Sequence, residues 1–150
     1  EYLFLYDKNT EPFVLQEAFG RYAAVDKNLD ILREYTEKVL PIAKKVFNSD
    51  TLLPSYTLFC HYFGNNAKLW KHKDDNACTY TIDMHLYFDE NWELWVEGNG
   101  YSIGENNALA YYGNDQEHWR EEFPSPESNY LGAVFFHFVE PDHWWFSSDR

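Results

Sequence analysis

Between Thr79 and Phe88 the chain alternates with a period of two: Tyr80, Ile82, Met84 and Leu86 fall on one side, and Thr81, Asp83 and His85 on the other. Side chains switch faces at every residue of a strand but recur every three or four residues on a helix, so this stretch is extended and has two unlike faces. The apolar face needs a cover, and the polar face suits the inside of a small barrel with its own hydrogen-bond network. A sheet carrying helices on one side and a second sheet on the other meets both demands.

The rest of the chain supplies those layers. Leu29, Leu32, Tyr35, Val39, Ala43 and Val46 recur at helical spacing after Asp26, and their apolar stripe must lie on a sheet. Pro41 interrupts that pattern, which predicts a kink near Leu40 or two successive helices. Ahead of it, Tyr2 to Tyr6 reads as a short edge strand and Phe13 to Val25 as a short helix. After Asn48-Ser49-Asp50 only strand patterns follow: 55–63, 68–72, 79–88, 92–97, 101–103, 108–112, 117–121 and 131–139. They are punctuated by Gly64-Asn65-Asn66, Gly98-Asn99-Gly100, Gly104-Glu105-Asn106, Gly113-Asn114-Asp115 and Pro124-Ser125-Pro126. Twelve Tyr, twelve Phe and six Trp favour strands over a helical bundle. The expected fold is mainly β (α+β), a double-stranded β-helix or jelly roll with N-terminal helices packed on one sheet. The 150 residues suit a single domain, with an N-terminal strand and helices over 1–50 and the jelly-roll core over 51–145. The aromatic tail Asp142-His143-Trp144-Trp145-Phe146 is expected to cap the sheet.

A net charge of −13 repels nucleic-acid phosphate and anionic lipid, and no basic cluster offsets it, so neither is an expected partner. No apolar run reaches the roughly 18 residues that span a bilayer. Cys60 and Cys78 lack metal spacing; reduced core thiols are favoured over a disulfide between them, and a cytoplasmic place is expected.

Within this frame, His72-Lys73-Asp74 stands at the end of a strand, and the period of two sends His72 and Asp74 to the same side. His118 begins a strand five strands later, and a jelly roll sets its second and seventh core strands side by side. Two histidines and one carboxylate form a face that holds Fe(II) with positions left open. Read without a metal, the same residues are a surface loop pair and a packed imidazole. Arg120, two residues beyond His118, points the same way. An inward guanidinium either pairs with a carboxylate, here Asp83, Glu122 or Glu117, or serves an anionic ligand. For His61 and His143 a packed or surface place is expected; for His85 and His137 a structural hydrogen bond weighs as much as ligand contact.

Residues 58–64 with 69–74, then 80–86, then Ala108-Leu109-Ala110-Tyr111-Tyr112-Gly113 with Glu117-His118-Trp119-Arg120 resemble the 2-oxoglutarate/Fe(II)-dependent dioxygenases of the prolyl-hydroxylase-like group. The resemblance covers roughly residues 55–140. It implies that His72, Asp74 and His118 bind Fe(II), that Tyr62 lines the cosubstrate pocket, and that His85 helps hold the distal carboxylate of 2-oxoglutarate. Members of the group commonly carry a base about ten residues after the second histidine. Glu127-Ser128-Asn129-Tyr130-Leu131 has none, and Arg120 is the expected substitute. The implied reaction consumes O2, decarboxylates 2-oxoglutarate to succinate and hydroxylates an amino-acid side chain, free or in a protein, prolyl by analogy. Loops 75–77, 114–116 and 123–129 would select the substrate.

Two other readings stay open. One is a non-catalytic β-sandwich module binding carbohydrate or peptide, with Trp92, Trp95, Trp119, Trp144 and Trp145 as stacking surface. The other is a cupin-like metalloenzyme that does not use 2-oxoglutarate, for which a further histidine, His85 or His137, would reach the metal.

Overall fold

The computed structural model describes residues 12–64, 67–123 and 129–146. The edge strand expected over Tyr2 to Tyr6 and the Pro124-Ser125-Pro126 turn lie outside them.

Ten strands form two antiparallel sheets among the described residues. They are β1 (Val14–Gln16), β2 (Arg21–Val25), β3 (Leu53–Phe63), β4 (Leu69–His72), β5 (Tyr80–Phe88), β6 (Leu94–Val96), β7 (Asn99–Tyr101), β8 (Ala108–Tyr111), β9 (His118–Arg120) and β10 (Tyr130–Val139). The larger sheet runs β1-β2-β3-β10-β5-β8 and the smaller β4-β9-β6-β7. From β3 onward, the core strands follow the order of a double-stranded β-helix, β3, β10, β5 and β8 in the larger sheet and β4, β9, β6 and β7 in the smaller, and the second and seventh, β4 and β9, are neighbours as expected.

One helix, α1 (Asp30–Val46), lies on the larger sheet. Its buried Leu32 and Ala43 share an apolar cluster with Ile82, Val134, Phe136 and Phe138, with Tyr80, Met84 and Leu86 packed against it. The even-numbered face of β5 is therefore the one that α1 covers. Thr36 ties the layers: its hydroxyl donates to the Leu32 carbonyl at 2.6 Å and lies 2.6 Å from the hydroxyl of Thr57 on β3. α1 runs unbroken through Pro41 and does not divide into two helices. Proline cannot bond the carbonyl four residues back, but that carbonyl belongs to Glu37, which is exposed, so water serves it.

The stretch from Phe13 to Val25 is not a helix. β1 and β2 flank a single 3-10 turn, Glu17–Phe19, closed by Gly20 at φ 64°. β2 pairs along the edge of β3, Arg21 opposite Tyr62 and Val25 opposite Leu58. Those ladder bonds and the burial of Ala23, Ala24 and Val25 outweigh a weak local preference. A second shift concerns Gly98-Asn99-Gly100, expected as a turn: Glu97 (φ 48°) and Gly98 (φ 83°) make the turn, and Asn99 and Gly100 are already in β7. Two successive positive φ values suit the right-handed twist of a two-residue hairpin loop.

The tail caps the core through Trp145, which is buried and stacks on Tyr56 at 5.6 Å between ring centroids. Cys60 and Cys78 are both buried and form no disulfide. No described helix is long and apolar enough to cross a membrane.

Candidate metal centre and its pocket

The β4–β9 ladder sets His72 directly opposite His118. Asp74 follows β4 on a loop held by main-chain contacts: its N–H donates to the Gly113 carbonyl at 2.9 Å, and its own carbonyl accepts from the Asn114 amide at 3.0 Å. The three side chains meet. His72 Nε2 lies 3.1 Å from Asp74 Oδ1 and His118 Nε2 lies 3.2 Å from Oδ2, with ring centroids 4.4 Å apart. The three expected ligands thus share one seat, and a metal's ligand atoms can be drawn from it.

The hydrogen bonds on the far side of each ring decide what the seat wants. His72 Nδ1 faces the Trp70 carbonyl, and His118 Nδ1 faces that of Gln116 at 2.8 Å. A carbonyl only accepts, so both Nδ1 atoms carry the proton. In a neutral ring Nε2 then presents a lone pair. Two lone pairs directed at a carboxylate are acceptors facing an acceptor, and only a cation between them resolves the conflict. A proton on each ring is one answer; a metal ion is the other, and a 2-His-1-carboxylate face suits Fe(II). Burial alone would raise the Asp74 carboxyl, but the bonds from His118 and His72 outweigh it and hold the group well below the usual carboxylate range.

Gly113 is part of this seat. A Cβ there would come within 2.6 Å of the Thr81 hydroxyl, 2.7 Å of the Cys78 carbonyl and 2.9 Å of Asp74 Oδ2. The sequence pattern marks Gly113 as a turn residue; the structure shows that it leaves room for the carboxylate.

The three candidate ligands border a pocket whose other walls include Tyr56, Leu58, Tyr111, Phe135, His137 and Arg21. Arg21 is the residue that sequence reasoning missed. It is 2% exposed, its Nε donates to Gln16 Oε1 at 2.5 Å and its Nη1 to the Tyr62 hydroxyl at 2.9 Å, and its guanidinium lies 4.3 Å from the Phe19 ring centroid. The available signal was a basic residue heading the apolar run Ala23-Ala24-Val25, but only once that run is read as a strand beside β3.

Tyr62 is fully buried between Arg21 and the Arg120 side. Burial pushes its hydroxyl up to about 12 against the pull of Arg21, so it stays protonated. Tyr111 borders the metal seat, its ring 5.0 Å from that of His118, and its buried hydroxyl has no hydrogen-bond partner.

Arg120 points inward as its spacing predicts, yet it is not among the residues bordering the metal pocket. Its Nη2 donates to Asp83 Oδ2 at 2.9 Å and lies 3.2 Å from His85 Nε2, while Nη1 donates to the Trp92 carbonyl at 2.8 Å. The guanidinium is paired with Asp83, one of the three carboxylates open to it from the sequence. His85 holds its other nitrogen to the Ile103 carbonyl at 3.0 Å and joins this network rather than the metal seat. His61 bonds the Tyr87 hydroxyl at 2.7 Å away from the ligands. Of the five tryptophans expected as a stacking surface, Trp92 and Trp145 are core; Trp95 and Trp119 are half-buried and stacked on each other at 6.1 Å, and Trp144 is exposed.

No protein-family model matches the chain, and no curated protein matches it. Solved structures do resemble it. A 2OG-Fe(II) oxygenase-family oxidoreductase from Burkholderia pseudomallei superposes with a TM-score of 0.65 at 9% identity, over 88% of this chain and 74% of that one. An RmlC-like cupin from Shewanella frigidimarina gives 0.47 at 6% identity, over 92% and 93%. IDO from Bacillus thuringiensis gives 0.48 at 13% identity, over 77% and 63%. At these identities the likeness is one of fold, a double-stranded β-helix, and the first of the three carries it.

Proposed function

We propose that this jelly roll is an Fe(II)- and 2-oxoglutarate-dependent oxygenase that hydroxylates an amino-acid side chain, free or within a protein. The observation that supports the reading is the placing of two imidazole nitrogens and a carboxylate, a set that can hold a metal ion, at one side of a pocket that a buried guanidinium also borders. A dicarboxylate matches both features: one end chelates beside the triad and the other meets a cation. His72, Asp74 and His118 would hold the iron, which with 2-oxoglutarate and O2 supplies the oxidation of a substrate C–H bond.

Arg21, not Arg120, is the anchor we assign to the distal carboxylate. It borders the pocket, whereas Arg120 does not and is bonded to Asp83 in the separate network across the core. Tyr62, expected to line the cosubstrate pocket, is not among the residues bordering it; its hydroxyl accepts from Arg21 and would orient that anchor from behind. Leu58, Leu69 and Phe135 exclude water between the ends, which strengthens both charge contacts. Prolyl as the residue hydroxylated rests on analogy of fold alone. The net charge of −13 argues against a polynucleotide substrate.

Anaerobic addition of Fe(II) and then 2-oxoglutarate is expected to give a visible charge-transfer band, and air is expected to release succinate. Stoichiometric metal without that band would support the cupin-like alternative. No metal uptake by the triad would leave the binding-module reading.

A further inference from the structure

Beside the triad lies a second set of ligand atoms. Asp74, Cys78 and His137 each offer one, and these lie within 4.8 Å of one another. Cys78 is 2% exposed and His137 is 3% exposed. His137 Nδ1 is 3.0 Å from the Tyr56 carbonyl, which fixes the proton there and leaves Nε2 as the ligand atom. The Tyr56 hydroxyl lies 3.3 Å from Cys78 Sγ, positioned to donate to a thiolate. The Ser55 hydroxyl donates to the Ala77 carbonyl at 2.5 Å, pinning the 3-10 turn that carries Cys78 against β3. The elements around these atoms are held before any ion arrives.

We propose that Asp74, Cys78 and His137 form a second seat, for a thiophilic divalent ion of the Zn(II) class, overlapping the His72–Asp74–His118 seat at Asp74. A thiolate and an imidazole favour zinc, whereas the triad's two imidazoles and carboxylate suit iron. Zn(II) entering this seat displaces the thiol proton and draws on the carboxylate that the triad needs, so the two ions compete. Zinc binding here does not depend on the oxygenase reading, since Cys78 and His137 lie outside the triad, whereas its competition with iron at the shared Asp74 rests on that reading.

The test uses Co(II) as the probe on metal-free full-length chain. Cobalt bound by Cys78 gives a thiolate charge-transfer band in the near ultraviolet. The band is expected to persist when His72 and His118 are both replaced by alanine, and to vanish in Cys78→Ser while cobalt still binds the triad. His137→Ala is expected to weaken Zn(II) binding about tenfold or more. Cobalt uptake by the wild-type chain with no thiolate band overturns the proposal, as does a band that survives Cys78→Ser or is lost with the two triad histidines. If Cys78→Ser does not fold, zinc-edge X-ray absorption of the wild-type chain decides: one sulfur in the shell supports the seat, and a shell of nitrogen and oxygen alone overturns it. Because the readout is the metal's own spectrum, it is unaffected by whether the triad turns over 2-oxoglutarate.

Discussion

Arg120 donates from Nη2 to the Oδ2 atom of Asp83 at 2.9 Å, with both side chains wholly excluded from solvent. Arg120 belongs to the smaller sheet and Asp83 to the larger, so the pair crosses the core. Replacing Arg120 by Met leaves a buried carboxylate without its counter-charge, at a cost of about 3–5 kcal/mol. A loss of unfolding free energy of that size, read from urea titrations, is expected, and the further change Asp83→Leu is expected to restore much of it. Full stability in the single variant would show that water reaches Asp83.

Arg21 makes a different prediction. Its replacement by Met is expected to raise the 2-oxoglutarate concentration needed for succinate release by at least about 30-fold, the low end of the 2–5 kcal/mol lost on truncating a buried charge partner. The Fe(II) content after loading is expected to stay near one per chain. An unchanged 2-oxoglutarate requirement would remove Arg21 from the anchor role.

Gly113→Ala tests the room around Asp74. The new methyl meets Asp74 Oδ2 and two further oxygens inside 3.0 Å, and the nearest main-chain one, of Cys78, belongs to a turn pinned to β3. The carboxylate is the mobile partner and gives way. Metal affinity is expected to fall about 10- to 100-fold, on the scale of losses at neighbours of metal ligands, with circular dichroism unchanged. Wild-type affinity would mean that the loop of Asp74 relaxes.

Tyr62 predicts a loss of stability in alkali. Its hydroxyl is raised by burial from 10.0 to about 12. Because the folded value is the higher one, the stabilisation is fully present below pH 10 and is lost as pH rises through about 12. The amount is about 3 kcal/mol for this group, and Tyr111, also raised by burial, acts in the same direction. Urea midpoints taken from pH 8 upward are expected to decline steeply above pH 10. Tyr62→Phe is expected to be weaker at pH 8, through the lost Arg21 bond, but to decline less steeply.

Much of this arrangement is legible in the residues themselves. A period of two fixes which side of β5 is apolar, and it sends His72 and Asp74 the same way. Helix-to-strand ordering then makes β4 and β9 neighbours. What could not be read is set by contacts distant in the chain. β2 is a strand only because the edge of β3 is there to pair with it, and Arg21 enters the pocket only as a consequence. Arg120 and Asp83 are both recognisable as inward-facing, but which carboxylate the guanidinium would choose depends on how the sheets face each other. Gly113 carries the signature of a turn, and nothing local reveals that a carboxylate oxygen occupies the space beside it.

The opposition of His72 and His118 across two neighbouring strands also dictates when the seat comes into being. On a ribosome, β4 emerges well before β9, and a chain that has reached only Asp74 carries one imidazole and one carboxylate with no partner strand. Four more strands must be made and the roll must begin to close before a third ligand arrives. The growing chain therefore lacks the complete three-residue face until β9 is made, and a metal ion held by all three residues would follow the closing of the roll rather than nucleate it.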